Sequence, residues 1–408
     1  MSRRVVVTGI GALSPLGHDW VTVLPRLKAY RNAIVRIDDW DQYVGLNNRI
    51  GSVAAPFELP ASFTRKTTRS MGRVALMATL ATERALADAG LLGDPVVKGG
   101  RMGISYGSSS GSPSALTDFG RMLSFKKSDG ISATTYIKMM SHTAAVNMAV
   151  FFGITGRVIP TSSACTSGSQ GIGYAYEAIR AGKQTLMVAG GAEELDATQA
   201  AVFETLFATS QKNDTPAATP RPFDAERDGL VLGEGAGTLI LEEREHALAR
   251  GAQIYAEIVG FGTNCDGSHV TFPDETTMQV AMRLALEDAG LTPDAIGYVN
   301  AHGTATERGD IAESHATSAV FGPHMPMSTL KSYMGHTLGA CGALEAWMTI
   351  EMMRDDWFAP TINLTAVDPR CAPLDYVMGE GRRLSCEFTV SNNFAFGGIN
   401  TSLIFKRV

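Results

Sequence analysis

The heptapeptide ALADAGL at positions 85–91 returns as ALEDAGL at 285–291, with six of seven residues identical at an offset of 200. Each copy closes an amphipathic helical pattern on a glycine able to take the left-handed C′ conformation. Each is followed by a short apolar strand pattern, "RMGISYGSS" from Arg101 and "IGYVNAHGT" from Ile296. A second correspondence links the strand, turn and helix around Cys165 to "TLKSYMGHTLGACGALEA" at 329–346. Self-similarity of this order predicts a duplicated α/β unit, two related sheets packed around shared helices. The small-residue helices near 166–179 and 336–350 are expected to form the central layer, where Gly and Ala let backbones approach. The halves are expected to run 1–250 and 251–408.

Composition bounds the function. With 45% hydrophobic and 19% charged residues over 408 positions, the chain reads as soluble and globular. A net charge of −6 argues against broad nucleic-acid binding. No apolar run reaches the ~18 residues of a membrane span. The opening "MSRRVVVTGIGALSPLGHDW" is broken by Gly and Pro, so it reads as a strand, Val5 to Thr8, and a turn rather than a signal peptide. The five cysteines are odd in number, scattered and never in C-x-x-C, which points to a reducing, cytoplasmic setting without disulfides. The histidines form no H-x-x-x-H or H-E-x-x-H pair, so zinc is not expected. The polar, Pro-rich stretch 209–222 reads as a surface loop.

The chemistry gathers on three residues. Cys165 follows the β-like "GRVIPTSSA" and precedes a helical pattern, so its thiol is expected at a helix N-terminus, where unpaired N–H groups favour thiolate and can hold an oxyanion. His302, in "NAHGTATERGD", directly follows an apolar strand and so lies where open α/β sheets place ligands. His336, in "KSYMGHTLGACGALEA", is expected at the start of the second central helix. If the halves are related by pseudo-symmetry, both imidazoles converge on Cys165 to make an acyl-transfer site. Lys331, Asp310, Glu313 and Glu345 are candidates for orienting them. The C-terminal "SNNFAFGGINTSLIF" reads either as a plain hairpin or as a Gly turn presenting N–H groups to the site, with Phe394 or Phe396 shielding the thiol.

Six ordered stretches together resemble one family: "RRVVVTGIGALSPLG", "SSACTSG", "RPFDAERDGLVLGEGAG", "NAHGTATERGD", "KSYMGHTLGACGALEA" and "NNFAFGGIN". The chain resembles the β-ketoacyl-(acyl-carrier-protein) synthases, decarboxylating condensing enzymes of the thiolase superfamily. The resemblance implies a thiolase-like α/β fold in a five-layer αβαβα arrangement. It implies that Cys165 takes the acyl chain, that His302 and His336 promote decarboxylation of malonyl thioester, and that the Cys165 and Phe396 amides form the oxyanion hole, with Phe394 and Phe396 gating. It further implies that Lys331 and Glu313 set the electrostatics, that Thr304 and Thr306 bind the phosphopantetheine arm, and that Asn300, Glu345 and Ser391 surround a structural monovalent cation. No catalytic cofactor is implied beyond the arm of the acyl carrier protein. The basic run "RKTTRSMGR" reads by itself as a solvated helix face. The resemblance makes Lys66 and Arg69, with Lys126 and Lys127, its docking site for the acidic carrier. A homodimer is expected, or a heterodimer with a related subunit.

Departures from the family pattern bear on substrate. Ala395 stands for a glycine between the two phenylalanines, Ile399 for a threonine, and Tyr333 and Met334 fill the turn between Lys331 and His336. They suggest a dedicated pathway for polyene or other secondary acyl chains rather than bulk fatty-acid elongation, and the small "GSSSGS" at 107–112, expected near the acyl pocket, suggests a roomy one. A thiolase would need a second cysteine in the C-terminal Gly turn. A starter-unit synthase would lack the histidine of "MGHTLGA", and a non-catalytic partner subunit typically lacks the nucleophile.

Overall fold

The computed structural model describes residues 3–408. Its first half contributes β1 (Val5–Leu13), α1 (Arg73–Asp88), β2 (Met102–Gly107), β3 (Val158–Thr161), α2 (Ser167–Arg180), β4 (Leu186–Glu193) and β5 (Gly235–Glu243). Its second half contributes β6 (Ala256–Cys265), α3 (Glu275–Ala289), β7 (Ile296–Asn300), α4 (Glu307–Phe321), β8 (Pro326–Ser328), α5 (Cys341–Arg354), β9 (Phe388–Phe394) and β10 (Ile399–Lys406). The main strands lie in the order β8-β7-β9-β10-β6-β1-β5-β4-β2-β3, with the two-residue strand Asp375–Tyr376 added outside β8 as an eleventh. Counted outward from the middle, each half reads first, fifth, fourth, second and third strand. The two expected sheets are therefore hydrogen-bonded into one, through a ladder of three residue pairs between β1 and β6, Val5↔Ile258 to Val7↔Ala256.

The heptapeptide repeat has a physical basis. Gly9 and Gly11 carry β1 past the expected end at Thr8, because α1 lies on them. A Cβ would stand 2.4 Å and 2.0 Å from the Ala85 and Ala81 carbonyl oxygens. Gly260 and Gly262 of β6 meet Ala285 and Ala281 of α3 at 2.3 Å and 2.0 Å. Asp88 accepts the Ile10 amide at 2.8 Å, and Asp288 accepts the Phe261 amide at 3.1 Å. Each copy thus clamps its own strand in the same way.

Helices α2 and α5 share one core cluster, the middle α layer. α1 and the helix Thr143–Phe152 cover the first half's strands, and α3 with α4 covers the second's, completing a thiolase-like αβαβα arrangement. In α5 every residue except Arg354 is buried. Burying a side chain such as Leu344 or Met348 stabilises the fold by about 1.5–3 kcal/mol. Gly168 of α2 and Ala343 of α5 show why the layer is built from small residues, since a Cβ on Gly168 would lie 2.9 Å from the Ala343 amide nitrogen. Among the described residues no helix is long and apolar enough to cross a membrane, and the five cysteines are free.

Candidate active site

β3 delivers the chain to a single 3-10 turn, Ala164–Thr166, that runs straight into α2. Ala164 takes the left-handed φ of 50°, which turns Cys165 inward at the helix N-terminus, where it is 5% exposed. His302 follows β7 in a turn held by Glu313, whose carboxylate accepts the amides of His302 and Gly303, both at 2.7 Å. His336 does not begin a helix as expected. It sits between the short helix Lys331–Met334 and the 3-10 turn Leu338–Ala340, and α5 starts five residues later.

The expected convergence is present. His336 Nε2 lies 2.9 Å from Cys165 Sγ, and the two imidazoles are edge to face with centroids 5.1 Å apart. Their tautomers follow from their neighbours. Lys331 Nζ, which can only donate, is 3.2 Å from His302 Nδ1, and the Leu338 amide donates to His336 Nδ1 at 3.3 Å. Both Nδ1 atoms are therefore acceptors, and both rings carry their proton on Nε2. Cys165, His302 and His336 put S and N atoms within 4.8 Å of one another. With Nε2 protonated on both rings the set offers hydrogen-bond donors rather than lone pairs for a metal.

Burial, Lys331 and (for His302) the neighbouring His336 hold both imidazoles well below the usual histidine range, so they are neutral donors at pH 7. Burial pushes the Cys165 thiol up to about 11, against the pull of the Lys331 charge and of the Phe396 and Cys165 amides. Lys331 forms its ion pair with Glu345 at 2.5 Å, while Glu313 acts on it through its charge. Burial raises the Glu345 carboxyl, and Glu345 in turn keeps Lys331 protonated. Asp310 is pushed up to about 6 by burial against the Arg227 charge, and accepts the Phe223 and Ala305 amides at 2.7 Å and 3.1 Å. It shapes the turn rather than touching an imidazole.

Cys165, His302 and His336 line the inner end of a cavity of 480 Å³ together with Phe394, Phe396, Thr304 and Thr306. The two threonine hydroxyls are 2.9 Å apart. Phe394 stands edge to face with His302 at 6.1 Å, and Phe396 stacks on Phe203 at 5.4 Å. The C-terminal stretch is both a hairpin and a wall of the site. Gly397 and Gly398 supply its positive φ values, 90° and 74°, so Ala395 is accommodated without strain. Asn300 Nδ2 donates to Ser391 Oγ at 3.2 Å, while its buried Oδ1 has no partner. Lys66, Arg69, Lys126 and Lys127 are exposed, and none lines the cavity.

Tyr333 and Met334 are fully buried and do not line the cavity; the Tyr333 hydroxyl donates to the Leu27 carbonyl. Ser108, Ser109 and Ser110 bind the buried Glu193 carboxylate and do not line the cavity. Asn393 was missed: its Nδ2 reaches Glu345 Oε2 at 2.8 Å and His302 Nδ1 at 3.4 Å. The signal was available in strand alternation, which puts Asn393 on the face opposite Val390 and Phe394. Cys341, whose thiol donates to the Cys165 carbonyl at 3.2 Å, gave no such signal.

The family model "Beta-ketoacyl synthase, N-terminal domain" matches residues 2–247 and its C-terminal counterpart matches 255–365. A 3-oxoacyl-[acyl-carrier-protein] synthase 2 of Synechocystis sp. is 37% identical over 99% of this chain and 98% of its own. A 3-oxoacyl-[acyl-carrier-protein] synthase 1 of Escherichia coli is 36% identical over 100% of this chain and 99% of its own. The crystal structure of a β-ketoacyl synthase from Burkholderia phymatum superposes with a TM-score of 0.98 at 60% identity, covering 100% of both chains. The ishigamide ketosynthase/chain length factor does so with a TM-score of 0.90 at 29% identity, again over 100% of both.

Proposed function

Because the chain belongs to the β-ketoacyl synthase family and is a condensing acyltransferase, we propose that Cys165, His302 and His336 divide a decarboxylative condensation between them. The carrying observation is that both imidazoles are fixed as Nε2–H donors beside one thiol.

Cys165 sulfur attacks the acyl thioester on the carrier's phosphopantetheine, the pantetheine thiol leaves, and the acyl group stays on sulfur. The amides of Cys165 and Phe396 hold the oxyanion. A malonyl thioester then enters, and its carbonyl oxygen accepts from the Nε2–H groups of His302 and His336. Loss of carbon dioxide leaves the electron pair on carbon and negative charge on that oxygen, where the donors bind more strongly than in the ground state. The enolate carbon attacks acyl-Cys165, the C–S bond breaks, and the thiol is restored with one proton from solvent. No base need abstract a carbon-bound proton. Lys331, held by Glu345, and Asn393 keep His302 in its tautomer.

Thr304 and Thr306 would line the path of the arm, and Lys66 and Arg69, with Lys126 and Lys127, would meet an acidic carrier. The orphaned Asn300 Oδ1 beside Ser391 and Glu345 fits a monovalent cation that balances buried charge. The halves are read as 1–250, carrying the thiol, and 251–408, carrying both histidines. Pairing with a second copy, or with a related subunit as in the ishigamide ketosynthase/chain length factor, is supported by β3, an edge strand that opens on exposed Val158, with exposed Val150 on the helix before it. Use in a dedicated acyl pathway, polyene or polyketide-like, rests on Ala395 and Ile399, which border the gating hairpin. Mass spectrometry after incubation with an acyl-carrier thioester tests the reading. Acylation of Cys165 is expected; folded but unmodified protein favours a non-catalytic partner subunit.

A further inference from the structure

The outer end of the cavity carries a cation that the condensation chemistry does not use. Arg308, in the first turn of α4, holds its guanidinium 4.0 Å above the Phe272 ring. Phe272 is in turn stacked on His269, with centroids 4.0 Å apart and planes 11° from parallel. His269 Nδ1 accepts the amides of Thr271 and Phe272, at 3.1 Å and 3.2 Å, which fixes the ring under its partner. The same loop is tied to the gating hairpin, since the Gly397 amide donates to the Val270 carbonyl at 2.7 Å. Val270, Phe272, Arg308 and Gly398 all line the cavity.

The other charged groups of this rim are already matched. Glu307 pairs with Arg370. Arg227 pairs with Asp368 at 2.6 Å and Asp310 at 3.6 Å. Asp228 has Lys212 at 3.8 Å, and Asp266 accepts from Asn400 and Thr277. Among the described residues, Arg308 has no carboxylate within ion-pair distance, and its one marked contact is the Phe272 face. A guanidinium seated over a ring face makes no hydrogen bond to the ring, so its N–H groups stay free for a further acceptor. Such a pre-oriented fork suits an oxyanion with several acceptor oxygens, a phosphate above all.

We infer that Arg308, held against Phe272, binds the phosphate of the phosphopantetheine arm as the arm enters the cavity. The inference rests on reading the cavity as the path of that arm. The thiol end of the arm reaches Cys165, so its phosphate end remains at the rim, and the stack Arg308–Phe272–His269 stands there. Glu307 and Asp228 leave the rim without a second free cation, so the phosphate has one preferred seat.

The test compares the rate of Cys165 acylation by hexanoyl-phosphopantetheine and by hexanoyl-pantetheine, identical arms with and without phosphate. In the wild type kcat/KM is expected to favour the phosphorylated arm by about tenfold, the low end for a charge-assisted hydrogen bond at an exposed position. Arg308→Gln is expected to abolish that preference. Arg308→Lys, which keeps the charge but loses the fork, and Phe272→Leu, which removes the platform, are expected to keep part of it. An undiminished preference in Arg308→Gln, or none in the wild type, overturns the proposal. A loss seen only with the intact carrier protein also overturns it, assigning Arg308 to the carrier's surface instead. If neither arm acylates Cys165 in the wild type, the proposal falls together with the reading of the cavity, a result distinct from acylation without preference.

Discussion

The turn Ala164–Thr166 leads from β3 into α2, and the turn Leu338–Ala340 leads from β8 toward α5. Each is one 3-10 turn, and each opens on a non-glycine residue in left-handed backbone, Ala164 at φ 50° and Leu338 at φ 46°. The second residue is Cys165 in one and Gly339 in the other. Opposite Cys165 stands the C-terminal hairpin of the second half, with Phe394 and Phe396 lining an open cavity. Opposite Gly339 stands the end of β4 from the first half. There Glu193 Oε2 accepts the Gly339 amide at 3.0 Å, and a Cβ on Gly339 would lie 2.7 Å from that oxygen. The amide proposed to hold the substrate oxyanion in one turn has, in its twin, a counterpart taken by a carboxylate. Duplication has kept the backbone device, and the residue placed across from it decides whether the device is open.

The largest effect expected from this contrast is at the open turn. Cys165→Gln removes the nucleophile and leaves both imidazole donors, so condensation should fall by about three orders of magnitude or more. Decarboxylation of malonyl thioester should persist, measured as carbon dioxide release without product. Formation of β-ketoacyl product by this variant would falsify the assignment of the nucleophile.

Next comes the buried ion pair that supports only the open turn. Lys331→Met removes the cation that keeps Glu345 ionised in the core, so Glu345 is left as an uncompensated charge or must take up a proton, which should cost about 3–5 kcal/mol in urea unfolding. The pair Lys331→Met with Glu345→Gln should recover most of that stability and little of the condensation rate, because nothing then holds His302 Nδ1 as an acceptor. Recovery of rate along with stability would make Lys331 a scaffold residue alone.

A smaller loss is expected at the closed turn. Glu193→Ala strands the amides of Ser109 and Gly339 and two serine hydroxyls, costing about 2–3 kcal/mol in the same assay. Glu193→Gln should cost less, since one acceptor oxygen remains. If both variants unfold like the wild type, Glu193 does not close the second turn.

The contrast also shows what was legible in the sequence. The duplication, the central helices and the Cys165–His302–His336 set could be read because each rests on local signals: a repeated heptapeptide, small-residue helices, chemistry-bearing residues at strand ends. The joining of the two sheets could not, because three residue pairs between Val5–Val7 and Ala256–Ile258 leave no periodic trace. Nor could the choice of Glu345 over Glu313 as the ion-pair partner of Lys331, since both are acidic, one before Lys331 in the chain and one after it. Only their placement, one on α5 and one under the His302 turn, separates them. The serines of 107–112 misled for a related reason: small side chains mark either space or a polar cradle, and the cradle needs Glu193, about 80 residues away.

The smallest effect is electrostatic and reports on both turns at once. Burial holds the Cys165 thiol up to about 11, the Lys331 charge lowers it, and Glu193 raises it from across the twin turn. Raising the pH toward that value frees thiolate, so Cys165 alkylation by iodoacetamide should accelerate about tenfold per pH unit between 8 and 10. No inflection is expected near 6.5, because His302 and His336 are held well below it and stay neutral across this range. Glu193→Gln removes a negative charge, so its midpoint should move down and its rate at pH 8 should rise. Lys331→Met removes a positive charge and should move the midpoint up. A histidine-like inflection in the wild type, or equal midpoints in Glu193→Gln and Lys331→Met, would separate the two turns electrostatically and leave their resemblance one of backbone alone.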